Sequence, residues 1–384
     1  MKNVFTSEYV TYGHPDKVAD VISDSILDCF LDEDPKSRVA CETLVVGDKV
    51  VVAGEITSKR DNANIEDIVR NAIRDIGYTY DDMKFNADKV QIFNYLNKQS
   101  PDISMGVDVN GAGDQGIMFG CAYRGIDDET FMPDCWKFAR DLGYRLQDLQ
   151  KEYPGMIRPD GKTQVTIDYT NNALDTIVVS CQHDPSMDIQ NIRDFIKAEV
   201  IWRVCSKYYN KIKIDGEQVK CHINPTGRFV IGGPDGDTGL TGRKIVVDGY
   251  GGFCPVGGGA FSGKDGTKVD RTGAYLARYL ALNLLHSKWC DDEKNVQVQL
   301  GYAIGVPAPV SIRFRPDSPK YEKVIDWIQK NVAMDPASLI TKFDLRREKK
   351  LFKYSDLAKY GHFGRTDIKL PWEQLDLVDE LNKI

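Results

Sequence analysis

The chain has 384 residues, and its 42% hydrophobic and 28% charged content is ordinary for a globular protein, which argues against large-scale disorder. Because single hydrophobic cores rarely grow beyond about 250–300 residues, this length predicts two or three cores. The formal net charge of -7 argues against general binding to nucleic acid or to an anionic membrane surface.

Nine cysteines are scattered through apolar or helical stretches, and the odd total without any CxxC pair does not fit a disulfide framework. Reduced thiols that act as small apolar side chains are the simpler interpretation, and they indicate a reducing compartment. No run of about 18 apolar residues is present, so we expect no membrane span. The first ten residues, MKNVFTSEYV, lack the apolar core of a signal peptide, and we therefore expect a cytoplasmic protein.

Residues 15–31 open the first of three stretches that share one order of elements. Apolar residues recur there at helical spacing, and Asp20, Asp24 and Asp28 are expected to line the opposite face of the helix. Two strand-like runs follow, 39–46 and 50–57, joined by a turn at Gly47-Asp48, and a second amphipathic helix covers 65–76. The same order is predicted twice more, over 135–153, 164–169, 176–182 and 189–204, and over 269–286, 296–304, 310–314 and 321–332.

This pattern predicts an α+β protein of three similar domains in a pseudo-threefold arrangement, each a small sheet covered by helices. The helices cover one face of each sheet, and Val45, Val51 and Ala53 extend the apolar character to the other face of the first. We expect such sheet faces to pack between subunits of a homo-oligomer. The predicted boundaries are 1–100 for an N-terminal domain, 101–116 for a flexible active-site loop, 117–223 for a central domain and 224–384 for a C-terminal domain.

The densest glycine segment is GGGAFSGKDGTKVDR, residues 257–271, which leads into a predicted helix. Glycines let the backbone approach a ligand closely, and a helix N-terminus adds positive potential. Five basic residues lie in or upstream of this segment: Arg243, Lys244, Lys264, Lys268 and Arg271. In a chain of net negative charge they predict a polyphosphate site, although a solvated loop with ordinary surface lysines would show the same spacing. Neither a Walker A motif nor a Rossmann fingerprint is present.

A second candidate is GHPDK, residues 13–17, at the start of the first predicted helix. His14 is a candidate hydrogen-bond or proton donor and Asp16 a candidate metal ligand, but Pro15 and Asp16 also suit a plain helix start. Asp270 stands at another predicted helix start, and magnesium commonly takes one or two carboxylates plus phosphate oxygens. Glu42, on a predicted strand, is either an exposed side chain or a ligand of a monovalent cation.

Two further segments have a structural and a functional interpretation. RPDGKTQV, residues 158–165, has the composition of a turn, and it contains Asp160 and Lys162 just before a predicted strand. Phe229 in TGRFVIGG is a core residue or, alternatively, a platform on which a base stacks.

Taken in order, the segments GHPDK, ACET, GEIT, KQSPDI, GAGDQG, RPDGKTQV, INPTGRFVIGGP, GLTGRK, GGGAFSGKD, KVDR and YGHFGR resemble those of the S-adenosylmethionine synthetase (methionine adenosyltransferase) family. The resemblance covers residues 5–372. It implies three similar α+β domains and a homodimer or dimer of dimers (a homotetramer) with active sites between subunits. One departure is a shorter loop between Gln99 and GAGDQG, a loop that closes over the active site in the family.

The resemblance also implies roles for individual residues. His14, Lys162, Arg243, Lys244, Lys264 and Lys268 are the implied catalytic groups. The implied ATP contacts are His14, Asp160, Lys162, Arg228, Phe229, Asp237, Arg243, Lys244, Ala260 and Lys264, and the implied methionine contacts are Glu55, Gln99, Asp114, Asp237 and Lys268. Two magnesium ions per site would be held by Asp16 and Asp270, and one potassium ion by Glu42.

The implied reaction is attack of the methionine sulfur on C5′ of ATP, loss of tripolyphosphate, and hydrolysis of the tripolyphosphate to diphosphate and phosphate. Two rivals use similar residues. An ordinary phosphotransferase would need the same cations but also a base for an acceptor hydroxyl, and it would release ADP. A catalytically silent regulatory subunit should have lost charged site residues, whereas this chain retains those of every motif quoted above.

Overall fold

The computed structural model describes residues 3–60, 62–98, 111–126 and 129–384. The three predicted helix–hairpin–helix units are present, so the α+β class and the threefold organisation are confirmed. The helices are α1 Pro15–Glu33, α2 Ile65–Ile76, α3 Asp134–Glu152, α4 Ile189–Ile196, α5 Arg203–Cys205, α6 Ile245–Asp248, α7 Val269–Leu285, α8 Lys320–Asn331, α9 Pro336–Lys342, α10 Tyr354–Tyr360 and α11 Val378–Lys383.

The strands in the described part of the chain are β1 Val4–Val10, β2 Arg38–Val46, β3 Lys49–Thr57, β4 Gln91–Asn97, β5 Gly116–Tyr123, β6 Ile157–Asp168, β7 Ala173–His183, β8 Lys220–Ile223, β9 Gly239–Leu240, β10 Asn295–Tyr302 and β11 Ser311–Arg315. They form three small sheets, and each sheet is built on one of the predicted hairpins. The strand orders are β4-β3-β2-β9, β1-β6-β7-β8 and β11-β10-β5.

The three units exchange strands in a cycle. The strand that precedes the first helix of each unit pairs antiparallel with the hairpin of the next unit: β1 with β6, β5 with β10, and β9 with β2. The sequence pattern did not predict these three strands, because each pairs with a segment that is distant in the chain and reaches it only through the tertiary fold. A cut between consecutive domains of the sequence would therefore separate paired strands.

Local signals explain where the elements begin and end. Pro15 occupies the first turn of α1, where its missing N–H costs no hydrogen bond. Asn64 caps α2 by accepting the amide of Asp67, and Gly77 ends that helix in the left-handed conformation, with φ at 104°. The hairpin turn after β2 contains Gly47 at φ 56°, as the Gly-Asp pair predicted.

Two local predictions are wrong. RPDGKTQV is not a turn but part of β6, which runs continuously through it and absorbs an irregularity between Ile157 and Gly161. Val45 does not lie on the outer face of the first sheet but is fully buried toward α1, whereas Val51 and Ala53 are half-exposed on that outer face. The helix expected over 189–204 is confirmed, and it winds as a π-helix at Lys197–Trp202.

The face of α1 that carries Asp20, Asp24 and Asp28 is buried as well, because α10, β9, β2 and α2 surround the helix. A buried carboxylate must be paired or hydrogen-bonded. Asp28 accepts the amides of Tyr354 and Ser355, each at 2.9 Å. Burial raises the pKa of Asp24 to about 7, although Arg271 and the Gly263 amide favour its charged form.

All nine cysteines lie in the part of the chain that the structure describes, and each is a free thiol, buried or half-buried. Among the helices of that part, none is both long and apolar enough to cross a membrane.

Candidate active site

The start of α1 forms one group of polar side chains, which we call the histidine cluster: His14, Asp16, Asp160, Lys162, Asp237, Arg243 and Lys244. Both His14 and Asp16 are only 2% exposed, because β9 and the segment after it pack over the helix start. The His14 ring accepts the backbone amide of Asp16 through Nδ1 at 3.2 Å, so it caps α1. This contact leaves Nε2 as the ring nitrogen that carries hydrogen in the neutral form.

Asp16 is held from three directions. Its Oδ2 lies 2.7 Å from Nζ of Lys244, and its Oδ1 accepts the amide of Leu240 at 3.0 Å and lies 3.5 Å from Nε of Arg243. Burial alone would raise the pKa of Asp16, but the hydrogen bonds from Lys244 and from the Leu240 amide outweigh it, and the pKa is lowered. A permanent carboxylate therefore stands among cations at this helix start.

His14 is neutral at physiological pH. Burial lowers its pKa to about 3, and the nearby charges of Lys244 and Lys162 act in the same direction. The shift also shows that Lys162, on β6, lies close enough to share the cluster although its side chain is exposed. A neutral, oriented imidazole can donate a hydrogen bond without first losing a proton.

Asp160 is the buried carboxylate of the histidine cluster that lies near Lys162 and Asp237. It is 6% exposed, and its Oδ2 accepts the amide of Gly233 at 2.8 Å. Burial raises its pKa to about 6; the Gly233 amide and Lys162 counteract this, and the charge of Asp237 adds to it. Asp160, Lys162 and Asp237 are thereby brought together from β6 and from the loop after β8.

The glycine-rich segment forms a second group, the Lys264 cluster: Lys264, Asp265, Lys268 and Asp270. Nζ of Lys264 lies 2.6 Å from Asp270, and Nζ of Lys268 lies 2.6 Å from Asp265. Asp265 is buried and also accepts the amide of Val39 at 2.7 Å. Burial raises the pKa of Asp265, but Lys268 and Thr267 reverse this, and the pKa is lowered.

Two glycines of this segment are required by contacts within the chain itself. A Cβ at Gly259 would lie 2.2 Å from the carboxyl group of Asp270. Gly263 has φ at 78°, and a Cβ there would lie 1.8 Å from the carbonyl oxygen of Cys41. The glycines were predicted to admit a ligand, and these two first of all let the loop lie against α7 and β2.

The two clusters adjoin each other. A Cβ at Gly242, the residue before Arg243, would lie 2.5 Å from the Cβ of Ala260, so the two cation-bearing loops touch. Lys264 forms an isolated bridge to Ala40 on β2. Ala40 pairs with Glu55, and Glu42 pairs with Ala53 on the same strands. Glu42 and Glu55 are exposed on the outer face of the β4-β3-β2-β9 sheet. Glu55 is opposite Ala40, the residue that Lys264 bridges, and Glu42 lies two residues further along β2.

The remaining expected site residues are placed less tightly. The Phe229 ring is half-buried, and its backbone exchanges hydrogen bonds with His183 while the ring packs on Gly232. Arg228 and Asp114 are exposed; Asp114 stands two residues before Gly116, whose added Cβ would be 3.6 Å from Asp270. Gln99 and most of the expected 101–116 loop, including the shortened stretch, lie outside the described residues.

Sequence reasoning missed two residues that organise these loops. Asp20 accepts the amide of Gly242 and Asp24 that of Gly263, each at 2.8 Å. Both were assigned only to a polar helix face. Their spacing of four and eight residues from Asp16 was the available signal, since it places all three carboxylates on one side of α1.

Residues 2–101, 109–229 and 231–374 match, in that order, the models of the N-terminal, central and C-terminal domains of S-adenosylmethionine synthetase. The chain belongs to the S-adenosylmethionine synthetase family. Membership assigns it to the methionine adenosyltransferases, as the order of its motifs had implied.

Two relatives of this family match over nearly the whole chain. A protein of Clostridium tetani (strain Massachusetts / E88) named S-adenosylmethionine synthase is 45% identical, with all of both chains covered. The structure described as that of an unusual S-adenosylmethionine synthetase from Campylobacter jejuni is 36% identical, covers 99% of both chains and superposes with a TM-score of 0.88.

Proposed function

We propose that the chain joins the adenosyl group of ATP to L-methionine and then cleaves the tripolyphosphate that leaves. The sulfur lone pair attacks C5′, the C5′–O bond breaks, and its electrons remain on the triphosphate oxygen. A water molecule then splits tripolyphosphate into diphosphate and phosphate. The observation that carries the proposal is the pairing of a neutral, oriented His14 with Lys244 and Asp16 at one helix start.

The first step requires no base, because a thioether sulfur is already a nucleophile and loses no proton. It requires donors and cations at the oxygen on which negative charge grows. Nε2–H of His14 is the proposed donor to that oxygen, and the side chains of the cluster cations bind the triphosphate. One well-placed donor of this kind contributes on the order of 3–4 kcal/mol to transition-state stabilisation.

The proposed phosphate grip draws on both clusters. Arg243, Lys244 and Lys162 serve the end nearest His14, and Lys264 with Lys268 serves the far end. Lys244, Lys264 and Lys268 each rest on a carboxylate at 2.6–2.7 Å. Such pairs limit the repulsion among lysines before the anion arrives, and they keep each ammonium group in a fixed position. The same cations would polarise an inner phosphorus for the hydrolytic step.

The carboxylates also fit the expected cations. Asp16 and Asp270 are single carboxylates, and the described residues contain no group of three metal-ligating side chains. This donor set suits Mg²⁺ whose other ligands are phosphate oxygens and water. Asp16 and Asp270 would hold the two ions, which when bound would neutralise charge on the triphosphate. Glu42 offers an oxygen ligand on the sheet face beside the Lys264 cluster, where one K⁺ is proposed.

A second copy of the chain is proposed to complete the site. The outer face of the β4-β3-β2-β9 sheet carries exposed Phe93 and Tyr95, at 37% and 60%, with Val51 and Ala53 beside them in register. Glu42 and Glu55 share this face. If a homodimer, or a dimer of dimers, buries this face, the residues proposed for methionine and K⁺ come to lie in the interface. We infer from the nine free thiols that this assembly works in a reducing, cytoplasmic environment.

Adenosine and methionine complete the proposal. Asp160 would contact the adenosine, because it lies beside Lys162 in the histidine cluster. Phe229, Arg228 and Ala260 are the other proposed adenosine contacts. Asp237 lies close to Asp160, at the side proposed for methionine, with Asp114 and Glu55.

The test is product analysis on purified protein with ATP, methionine, Mg²⁺ and K⁺. Mass spectrometry should detect S-adenosylmethionine only when methionine is present, and phosphate analysis should find equal amounts of diphosphate and phosphate. ADP without a sulfonium product would support a phosphotransferase instead. A folded protein without turnover would support the silent subunit.

A further inference from the structure

Four aspartates, each four residues after the last, form a ladder along α1. Each accepts a backbone amide from a segment that is distant in the chain, so the helix fixes the position of several loops at once. The contacts are Asp16 with Leu240 at 3.0 Å, Asp20 with Gly242 at 2.8 Å, Asp24 with Gly263 at 2.8 Å, and Asp28 with Tyr354 at 2.9 Å.

The second and third of these aspartates, Asp20 and Asp24, bind the two loops that carry Arg243 and Lys264. Gly242 is the residue directly before Arg243, and Gly263 is the residue directly before Lys264. Asp20 and Asp24 lie about 6 Å apart along the helix axis, at about 1.5 Å per residue. The spacing of the two loops along α1 is therefore set by one turn of a rigid, buried helix.

Both carboxylates are fully buried, and each has a charged partner. Nζ of Lys17 lies 3.0 Å from Asp20, and Nη2 of Arg271 lies 2.7 Å from Asp24. Lys17 is also held by Asp248 at 2.6 Å. Because these groups are excluded from solvent, a loop amide that loses its carboxylate oxygen has no bulk water beside it to accept its hydrogen bond.

We propose that Asp20 and Asp24 are positioning residues, which act through the amides of Gly242 and Gly263 to hold Arg243, Lys244 and Lys264 where the polyphosphate binds. This inference rests on the proposed function, because it concerns the cations that are proposed to bind the triphosphate. Neither carboxylate touches the substrate. Their effect is preorganisation: cations that are already in place lose little freedom when the anion binds.

The experiment compares two substitutions at Asp20. Asp20→Asn retains an oxygen that accepts the Gly242 amide, whereas Asp20→Ala leaves this amide without its acceptor. Isothermal titration calorimetry with inorganic tripolyphosphate and Mg²⁺ measures binding independently of turnover. We expect Kd to rise at least tenfold in Asp20→Ala and less than threefold in Asp20→Asn. KM for tripolyphosphate hydrolysis should follow Kd, with a smaller change in kcat.

The matched control is Asp28→Ala. Asp28 is on the same helix and makes the same kind of contact, but to Tyr354 and Ser355, which lie outside the two loops proposed to bind the polyphosphate. The Asp28→Ala substitution should lower Tm and leave the Kd for tripolyphosphate within twofold of the wild-type value. A wild-type Kd in Asp20→Ala, or an equal rise in Asp28→Ala, would overturn the inference.

Asp24 is tested in the same way, with Asp24→Asn and Asp24→Ala. If Asp24→Ala does not fold because Arg271 loses its partner, the double variant Asp24→Ala/Arg271→Met removes both buried charges and is measured instead. If the Asp24 variant binds tripolyphosphate with the Kd of wild type, Asp24 is not a positioning residue.

Failure of the proposed function would give a different result. In that case the wild-type protein binds tripolyphosphate but forms no S-adenosylmethionine. The Kd values of the variants would still decide whether Asp20 and Asp24 position the loops.

Discussion

Oδ2 of Asp16 lies 2.7 Å from Nζ of Lys244, and the carboxylate is 2% exposed. One carboxylate thus serves a lysine proposed to bind phosphate and is itself a proposed Mg²⁺ ligand. Asp16→Asn should keep the Leu240 amide bonded through the remaining oxygen and remove the charge. We expect the Mg²⁺ concentration for half-maximal rate to rise at least tenfold, in a magnesium titration of product formation.

The control for that titration is Asp88→Asn, which removes a carboxylate from an exposed surface pair with Arg74. Surface pairs of this kind contribute about 0–1 kcal/mol, so this variant should match wild type in Mg²⁺ dependence and stability. A magnesium titration unchanged in Asp16→Asn would remove Asp16 from the metal site.

The two lysines of the Lys264 cluster should respond differently to truncation. Lys264 pairs with Asp270, and both side chains are partly exposed, whereas Lys268 pairs with the buried Asp265. Lys264→Ala and Lys268→Ala should each slow S-adenosylmethionine formation by about 10²–10³, the usual cost of one transition-state donor. Only Lys268→Ala should also lower Tm clearly, because it leaves a buried carboxylate without its cation.

Stopped-flow or quench measurements of sulfonium formation, together with calorimetric Tm values, test this difference. Near-normal turnover in Lys264→Ala would argue against the phosphate role of Lys264. Equal losses of Tm in the two variants would contradict the role assigned to Asp265.

His14 should act as a neutral donor. With a pKa of about 3 it does not change charge between pH 6 and 9, so His14 itself should contribute no inflection to kcat over this range. His14→Ala should lower kcat for adenosyl transfer by about 10²–10³. Hydrolysis of added tripolyphosphate should change much less, because its leaving group is not the C5′ oxygen. Equal losses in both reactions would indicate general damage to the site.

The sequence named candidate groups for this site but not their geometry. GHPDK marked His14 and Asp16 as candidates, and the helix start that Pro15 and Asp16 also predicted is present, with both side chains on it. Asp20 and Asp24 were not predicted, because hydrophobic periodicity describes which side of a helix is apolar and not whether the other side is covered. The strand exchange was missed for a related reason: two-residue β9 has no pattern of its own and exists only because β2 is there.

The same pKa of His14 predicts a stability effect with a definite sign. Unfolded chains bind a proton at His14 below about pH 6.5, and the folded chain does so only near pH 3. Folding stability therefore falls as pH drops through this window, because the unfolded state binds more protons. Between pH 7.5 and pH 5 the loss from this group is about 2 kcal/mol. Urea unfolding at both pH values should show a smaller loss in His14→Asn than in wild type, and equal losses would contradict the shift.

The open sheet face yields a prediction about assembly. Val51 pairs with Leu44 on one side and Phe93 on the other, so it lies in the middle of the apolar part of that face. Val51→Lys places a charge there that water can solvate in a monomer, whereas in a dimer the charge would be buried beside the apolar side chains of Leu44 and Phe93. We expect a folded monomer in light scattering after size exclusion, with turnover lost. The control is Tyr209→Lys, at a 51% exposed position in a loop away from this sheet, and it should remain oligomeric and active. If Val51→Lys elutes with the mass and activity of wild type, this face is not the interface, and Glu42 and Glu55 act without a second copy beside them.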